Sequence, residues 1–185
     1  VLVALVTLVA TQVVMVLIMT MTPLHLIDHG HDLATVGFVL SAHTFGMFAL
    51  SPISGRVTDR FGSPRIIAAG LCTLAIAALL AALSPASGGI LLTLALFLLG
   101  YGWNLGFVAG SSMLTGGLAL AERTRVQGVA DSLIWGTAAV SSLSSGIIVA
   151  GASYTALGFL GIGLVVLPVA LLLAKRRQLD AASAS

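Results

Sequence analysis

Six long apolar segments dominate this chain of 185 residues and restrict its fold more than any other feature. Each is close to the roughly 20 residues that a helix needs to cross the hydrocarbon core of a bilayer. Approximately, they cover residues 1–21, 34–54, 66–83, 90–114, 127–150 and 154–174. Only 8% of the residues are charged, whereas about a quarter are charged in soluble domains. The sequence therefore predicts an all-α, multi-pass membrane protein with six transmembrane helices and excludes a soluble globule.

The eight Lys and Arg residues are distributed unevenly among the connections between these segments. They lie between the second and third segments, between the fourth and fifth, and after the sixth: Arg56, Arg60, Arg65; Arg123, Arg125; Lys175, Arg176, Arg177. Because cytoplasmic loops are enriched in Lys and Arg, both ends of the six-span unit are predicted to face the cytoplasm. The basic residues then determine the orientation of the chain in the membrane, and no nucleic-acid partner is expected. The expected surroundings are the lipid bilayer of the plasma (inner) membrane.

The two ends of the chain differ in character. The chain begins at Val1 inside an apolar segment, without Met and without the basic stretch of a signal peptide. We interpret it as a fragment at this end. At the other end, basic residues stop the sixth helix at the interface, and residues 175–185 are expected to form a cytoplasmic tail.

The connection between the second and third segments carries a distinctive spacing of glycine and charged residues. Glycine permits a tight reversal of the chain, and a carboxylate among arginines can pair locally or meet a helix N-terminus. The residues are Gly55, Asp59, Arg60, Gly62 and Arg65. With this spacing the sequence resembles the major facilitator superfamily, whose signature is Gly, three residues, Asp, Arg or Lys, one residue, Gly and a basic cluster. Ser63 and Pro64 depart from that signature, because the family usually has basic residues there.

The resemblance implies a particular fold. In this family two six-helix halves are each built from two inverted three-helix repeats, and the substrate binds near the midplane between the halves. The chain then corresponds to one half. The fourth segment has no arginine, which amino-terminal halves of family antiporters commonly carry, and the tail is short and basic. The resemblance therefore implies the carboxyl-terminal half and an absent amino-terminal six-helix half as its partner.

The function implied by the resemblance is secondary active transport by alternating access. We expect the solute to be a small organic molecule and its transport to be coupled to protons. We expect efflux of a drug or metabolite, as by an antiporter, more than uptake. The alternative is a non-transporting or homodimerising six-helix membrane protein, or a truncated remnant without activity of its own. The switch between conformations is expected to involve the loop that contains Gly55 and Asp59.

Polar and aromatic residues at membrane depth are candidates for the substrate cavity, because polar groups there are costly and often functional. In the family, the counterparts of the first and fourth segments line the cavity. The candidates are Thr11, Gln12, Tyr101, Trp103, Asn104 and, as an apolar wall, Trp135. The alternative is that the polar members only join helices, through bonds worth about 0.6 kcal/mol each.

Two ionisable residues within the segments are candidates for proton coupling. His43 lies in the second segment, and an imidazole titrates near pH 6.5. Asp131 lies about one turn into the fifth segment. Structural roles are the alternative for both. His43 can be a neutral ring bonded to another helix, and Asp131 can stabilise a helix start or pair with Arg125 or Arg60.

Small residues at every fourth position predict faces where helices approach closely. Gly102, Gly106 and Gly110 form one such stripe, and Ser142, Gly146 and Ala150 form another.

Catalysis and a bound metal or cofactor are not expected. An intramembrane serine protease needs a Gly-x-Ser-Gly nucleophile and a histidine base, but the fourth segment offers Gly110-Ser111-Ser112-Met113 and the sixth has no histidine. No glycine loop ending in Lys-Ser or Lys-Thr indicates ATP binding. An outer loop does contain residue types that bind zinc, although a short external loop is polar in any case: His25, Asp28, His29, His31 and Asp32.

Overall fold

Every regular element in the described part of the chain, residues 1–85 and 89–183 of a computed structural model, is an α-helix. The helices are α1 (Leu2–Asp28), α2 (Leu33–Phe48), α3 (Ser51–Phe61), α4 (Ser63–Leu83), α5 (Gly89–Thr115), α6 (Leu120–Gly151) and α7 (Tyr154–Ser183). The second span consists of α2 and α3 together, so the described residues form six units that are long and apolar enough to cross a membrane. The prediction of an all-α protein with six spans is confirmed.

The helices extend further into the polar connections than the sequence suggested. Helix α1 continues to Asp28, α6 already begins at Leu120, and α7 runs past residue 174 to Ser183. A helix satisfies its backbone hydrogen bonds internally and can therefore continue into the headgroup region. At the start of α6, the Glu122 carboxylate also accepts a hydrogen bond from the Ala119 amide (3.2 Å). Residues 86–88, which lie between the third and fourth predicted segments, and the last two residues of the tail are outside the described residues.

The packing of the helices repeats between the two halves of the chain. Helix α2 packs on α5 as α6 packs on α1, and α4 packs on α5 as α7 packs on α1. Helices α1 and α5 occupy the same position in the two halves and pack on each other, and so do α4 and α7. Because each unit of three spans crosses the membrane an odd number of times, successive units have opposite orientations. The fold is thus a bundle of two inverted three-helix repeats.

Glycines allow α5 to contact its neighbours at backbone distance. A Cβ added to Gly102 would lie 2.8 Å from the Leu74 amide nitrogen, and one added to Gly70 would lie 2.8 Å from the Gly106 amide nitrogen. On the α1 side, Gly110 meets Leu8. The predicted contact face of α5 is confirmed. Close approach at these positions requires the absence of a side chain.

The second small-residue stripe, on α6, forms no comparable contact. A Cβ at Gly146 would meet only the methyl end of Met21, at 4.0 Å, and Ala150 is exposed. The prediction of a close contact face there is wrong. Small residues permit close approach, but only a facing helix makes use of it.

The second and fifth spans are the least buried of the six. Both display large apolar side chains on their outer faces, including Phe38, Phe45 and Phe48 on α2, and Leu143 and Ile147 on α6. These two spans are equivalent members of the inverted repeats. Their open faces therefore form a symmetric feature of the bundle.

Candidate substrate site and conformational switch

The second span is broken near its middle, where α2 ends at Phe48 and α3 begins at Ser51. Pro52 occupies the first turn of α3. Proline fits this position because its missing N–H lacks a helical partner there in any case, and its ring prevents continuation of the preceding helix. The break therefore has a local cause in the sequence.

Asn104 of α5 bridges this break with its side-chain amide. The Nδ2 group donates to the Met47 carbonyl oxygen and to the Ser51 hydroxyl, at 2.7 Å each. The Oδ1 atom accepts a hydrogen bond from Ser54. Both amide hydrogens are used and Asn104 is only 2% exposed, so in this conformation it has no N–H left for a solute. The amide instead joins the end of α2 to the start of α3.

Next to Asn104, Trp103 joins the first and fourth spans. Its Nε1–H group donates to Gln12 Oε1 at 2.7 Å, and both side chains are buried. The indole ring stacks on Phe107, with ring centroids 4.8 Å apart, and meets the ring of Phe48 edge-on at 6.1 Å. This group of three aromatic rings is called the aromatic wall below. The structure thus brings Gln12 and Trp103 together, as an interior pair with aromatic neighbours.

The other predicted cavity residues are placed differently. Thr11 is buried against Gly106, and its hydroxyl donates to the Leu8 carbonyl oxygen (3.0 Å) within α1. Tyr101 is half-buried and stacks on Phe97 (6.3 Å) instead of on the aromatic wall. Trp135 lies on the open face of α6 and is 64% exposed.

Two members of the aromatic wall, Phe48 and Phe107, were not among the residues selected from the sequence. Phe107 lies four positions after Trp103, so helical spacing alone would place it on the same face. Phe48 comes from another span, and its contact with Trp103 depends on the packing of α2 against α5.

His43 is buried where α2 packs against α5. Its Nδ1 atom lies 2.9 Å from the Leu96 carbonyl oxygen, and a carbonyl only accepts, so Nδ1 carries the hydrogen. Its Nε2 atom is buried without a partner. The close approach depends on Gly46 and Gly100, where an added Cβ would overlap the facing backbone. This is the bond expected of an imidazole that joins two helices, and a role in proton coupling stays a prediction.

Asp131 lies near the beginning of α6 and is partly buried. Its Oδ1 atom accepts a hydrogen bond from Gln127 Nε2 (2.9 Å), so its partner is Gln127 instead of Arg125 or Arg60. Together with Arg123 and Thr115 it lines an open cavity of about 490 Å³. A carboxylate in an open cavity is accessible for proton exchange, but this role too stays a prediction.

The segment predicted as a switch loop is mostly helical, and the prediction of a loop is wrong for Gly55, Asp59 and Arg60, which all lie within α3. The chain reverses at Gly62 alone, with φ +86°, and α4 then begins at once with Ser63 and Pro64. The two residues that depart from the family signature thus form the first turn of a helix. This short helix is amphipathic, because Ser54 and Thr58 are buried whereas Arg56, Asp59 and Arg60 are exposed.

The two glycines of this segment have different environments. Gly62 needs its positive φ angle, which residues with a Cβ rarely adopt. Gly55 is helical, and a Cβ there would meet nothing within 4 Å. The basic residues stay near the same helix end: the Arg60 guanidinium lies 5.2 Å from the Phe61 ring, and Arg65 donates to the Phe61 carbonyl oxygen at 3.4 Å.

The histidine-rich end of α1 packs against the start of α7. The Tyr154 and Thr22 hydroxyls lie 2.8 Å apart, and the His25 ring stacks on Tyr154 with centroids 4.3 Å apart. Asp32 begins α2, and its carboxylate accepts a hydrogen bond from the Thr35 amide (2.8 Å). Hydrogen bonding with the Thr35 side chain and with its amide holds the pKa of Asp32 below its usual value. Across residues 1–85 and 89–174, no three His, Cys, Asp or Glu side chains converge as metal ligands.

Comparison with known proteins gives a match over nearly the whole chain. Residues 3–184 match the family described as Major Facilitator Superfamily. Similar proteins include two MFS-type transporters of Bacillus subtilis (strain 168). YdeG is 42% identical over 163 residues, which are 87% of this chain and 38% of that protein. YddS is 39% identical over 169 residues, which are 90% of this chain and 39% of that protein.

A third similar protein is named for its solute. The riboflavin transporter RfnT of Brucella anthropi is 31% identical over 175 residues, which are 95% of this chain and 44% of that protein. The chain thus spans about two-fifths of the length of the curated relatives that it matches.

Proposed function

Because the chain belongs to the major facilitator superfamily, we propose that it is the carboxyl-terminal half of a secondary active transporter that moves a small organic solute across the plasma membrane. The observation that carries this proposal is the buried polar pair of Gln12 and Trp103 beside the break in the second span. Transporters of this architecture commonly form their solute sites near discontinuous helices at the midplane.

The proposed partner is an amino-terminal six-helix half. The open apolar faces of the second and fifth spans support this proposal, as does the share of the relatives' length that the chain leaves unmatched. In the proposed mechanism, the two halves rock about the solute site and expose it alternately to each side. Both ends of this six-span unit face the cytoplasm.

We propose that protons drive the transport, with Asp131 or His43 as the group that exchanges them, and that the direction is efflux by antiport. Riboflavin is the first solute to test, because a relative with 31% identity is named a riboflavin transporter.

The proposal is tested by reconstituting the complete transporter that contains this chain in liposomes. With a pH gradient imposed, we expect riboflavin movement that a protonophore abolishes. Asp131→Asn and His43→Gln are examined separately. The substitution that abolishes proton-driven movement of riboflavin identifies the coupling residue. Liposomes without protein serve as the control. Movement that persists with the protonophore contradicts proton coupling. A stable homodimer of six-span chains without transport would support the alternative of a non-transporting protein.

A further inference from the structure

The aromatic wall presents a surface suited to flat rings. Phe48 is 58% exposed, Phe107 is half-buried, and Trp103 lies between them with 6% of its surface exposed. Aromatic rings attract one another in offset-stacked and edge-to-face arrangements, and the wall already contains one of each. Its outer member, Phe48, is therefore the position at which an additional flat ring would first make contact.

The Gln12 side chain supplies unused hydrogen-bond donors behind the wall. Because the Trp103 Nε1–H group is a donor, the atom of Gln12 that meets it must be the carbonyl oxygen Oε1. The Nε2 group then points away from Trp103, and it is buried with no hydrogen-bond partner. A buried donor without a partner costs free energy. An acceptor atom on a bound solute, such as a carbonyl oxygen, would remove that cost.

The helices that form the wall provide no charge to neutralise an ionic ring. Helices α2 and α5 contain no Asp, Glu, Lys or Arg, and α1 contains only Asp28, at its far end. Charged groups at membrane depth require a partner. The wall is therefore suited to an uncharged ring.

We propose that the aromatic wall and the Gln12 amide bind an uncharged, flat heteroaromatic ring that carries a carbonyl acceptor. The proposal rests on the transport function proposed above and names the solute class for this half of the site. The ring stacks beside Phe48 and Trp103, and its carbonyl accepts a hydrogen bond from Gln12 Nε2.

The wall is connected to the break in the second span, which provides a route for the solute. Phe48 is the last residue of α2, and Trp103 precedes Asn104, whose amide spans the break. Gln12 has no exposed surface in this conformation, so the site is closed. Access to Gln12 therefore requires a conformational change, and the break between α2 and α3 lies directly after Phe48.

The experiment measures binding to the complete purified transporter with three probes. Riboflavin contains a flat ring system with carbonyl groups and a sugar-alcohol chain, lumiflavin contains the same ring system with a methyl group in place of the chain, and ribitol corresponds to the chain alone. Stacking on an aromatic side chain quenches the fluorescence of the two ring probes. Ribitol binding is measured by calorimetry and by competition.

Phe48→Leu tests the wall, and Phe159→Leu is its matched control, because Phe159 is similarly exposed (54%) but lies on α7. Gln12→Leu removes both N–H donors, together with the acceptor for Trp103. Gel filtration and melting temperature establish that each variant is folded, and Phe48→Leu alone decides the test where Gln12→Leu does not fold.

We expect the two ring probes to bind and ribitol not to bind. Phe48→Leu and Gln12→Leu should each weaken ring binding about tenfold, whereas Phe159→Leu should leave it unchanged. The proposal is overturned if neither ring probe binds, if ribitol binds as well as riboflavin, or if Phe159→Leu weakens binding as much as Phe48→Leu. Riboflavin transport with unchanged affinity in Phe48→Leu also overturns it, although the proposed transport function stands. If ring binding depends on the wall but the liposomes show no transport, the proposed transport function is contradicted and the proposed binding site stands.

Discussion

Asn104 shows how much one buried side chain can determine at the residue scale. Its hydrogen bonds reach the end of α2 and the start of α3. The sequence placed a polar amide at membrane depth in the fourth span but could not identify its partners. Met47, Ser51 and Ser54 are about 50 positions away along the chain, and only the packing of α2 and α3 against α5 brings them close.

Removing this amide should loosen the second span. Asn104→Ala removes the shared partner of the Met47 carbonyl oxygen and of the Ser51 and Ser54 hydroxyls, of which only Ser54 keeps another partner, the Leu50 carbonyl oxygen. A buried polar group that is left without a bond costs about 1–3 kcal/mol. We expect the complete protein with Asn104→Ala to have a melting temperature in detergent several degrees below that of the unsubstituted protein. Gln127→Ala is the control, because Gln127 is an amide that bonds only within α6. Equal melting temperatures for the two variants would show that Asn104 does not hold the break.

Asp32 allows a pH-dependent prediction at the start of α2. Hydrogen bonding with the Thr35 side chain and with the Thr35 amide keeps the folded-state pKa of the Asp32 carboxyl below the ordinary value. A depressed pKa contributes stability above the unfolded-state pKa, and that contribution is lost as the pH falls through the folded-state pKa. Asp32→Ala should therefore lower the melting temperature at pH 7, and the difference should shrink below about pH 4.

Asp32→Asn is the control for this pH dependence. Asparagine also accepts a hydrogen bond at a helix start but does not titrate. The difference in melting temperature between Asp32→Asn and Asp32→Ala should change little between pH 7 and pH 4. If the difference in melting temperature between the unsubstituted protein and Asp32→Ala stays constant through the acid range, the pH-dependent contribution assigned to the Asp32 carboxylate is contradicted.

At the element scale, α3 and Gly62 replace the loop that the sequence predicted. The signature spacing was identified correctly between the second and third spans, but a motif of glycines and charged residues does not distinguish a loop from a short amphipathic helix. The helical spacing of Ser54 and Thr58, both buried, was the signal for the helix. The apolar lengths, by contrast, were sufficient to predict six spans, because hydrophobic runs of about 20 residues have few other solutions.

The two glycines of this element should respond differently to alanine. Gly62→Ala forces a residue with a Cβ into a conformation with positive φ and extended ψ, which costs about 1–3 kcal/mol, so the melting temperature should fall. Gly55→Ala adds a methyl group in open space within a helix, where alanine is favoured by up to about 1 kcal/mol, so the melting temperature should stay constant or rise. If α3 contacts the other half during transport, Gly55→Ala should nevertheless slow transport per molecule.

Transport rates in liposomes and the amount of protein in the membrane separate these effects. Gly55→Ala with normal abundance and slower transport supports a role of α3 in switching. Loss of Gly55→Ala protein from the membrane, with unchanged transport per remaining molecule, contradicts it.

At the scale of the whole molecule, the arrangement depends on the second span crossing the bilayer completely. Leu33–Phe61 contains 29 residues, which at the helical rise correspond to roughly 40 Å, enough to cross a hydrocarbon core about 30 Å thick in spite of the break. Asp32 and Arg60 therefore lie near opposite ends of this span. The one-sided distribution of Lys and Arg predicts that Arg60 is on the cytoplasmic side.

Cysteine labelling of the complete protein tests this arrangement. Cys72 is the only cysteine of this sequence and is exposed on α4, so Cys72→Ser and removal of any cysteine elsewhere provide the background. An impermeant maleimide added to intact cells should label Asp32→Cys but not Arg60→Cys, and inside-out vesicles should give the reverse. Restoring Cys72 alone controls for reagent that enters the bilayer, since it lies within a span and should stay unlabelled in both preparations. Labelling of both positions from one side would contradict the crossing, and with it the inverted repeat, because an odd number of spans in each unit is what gives the two units opposite orientations.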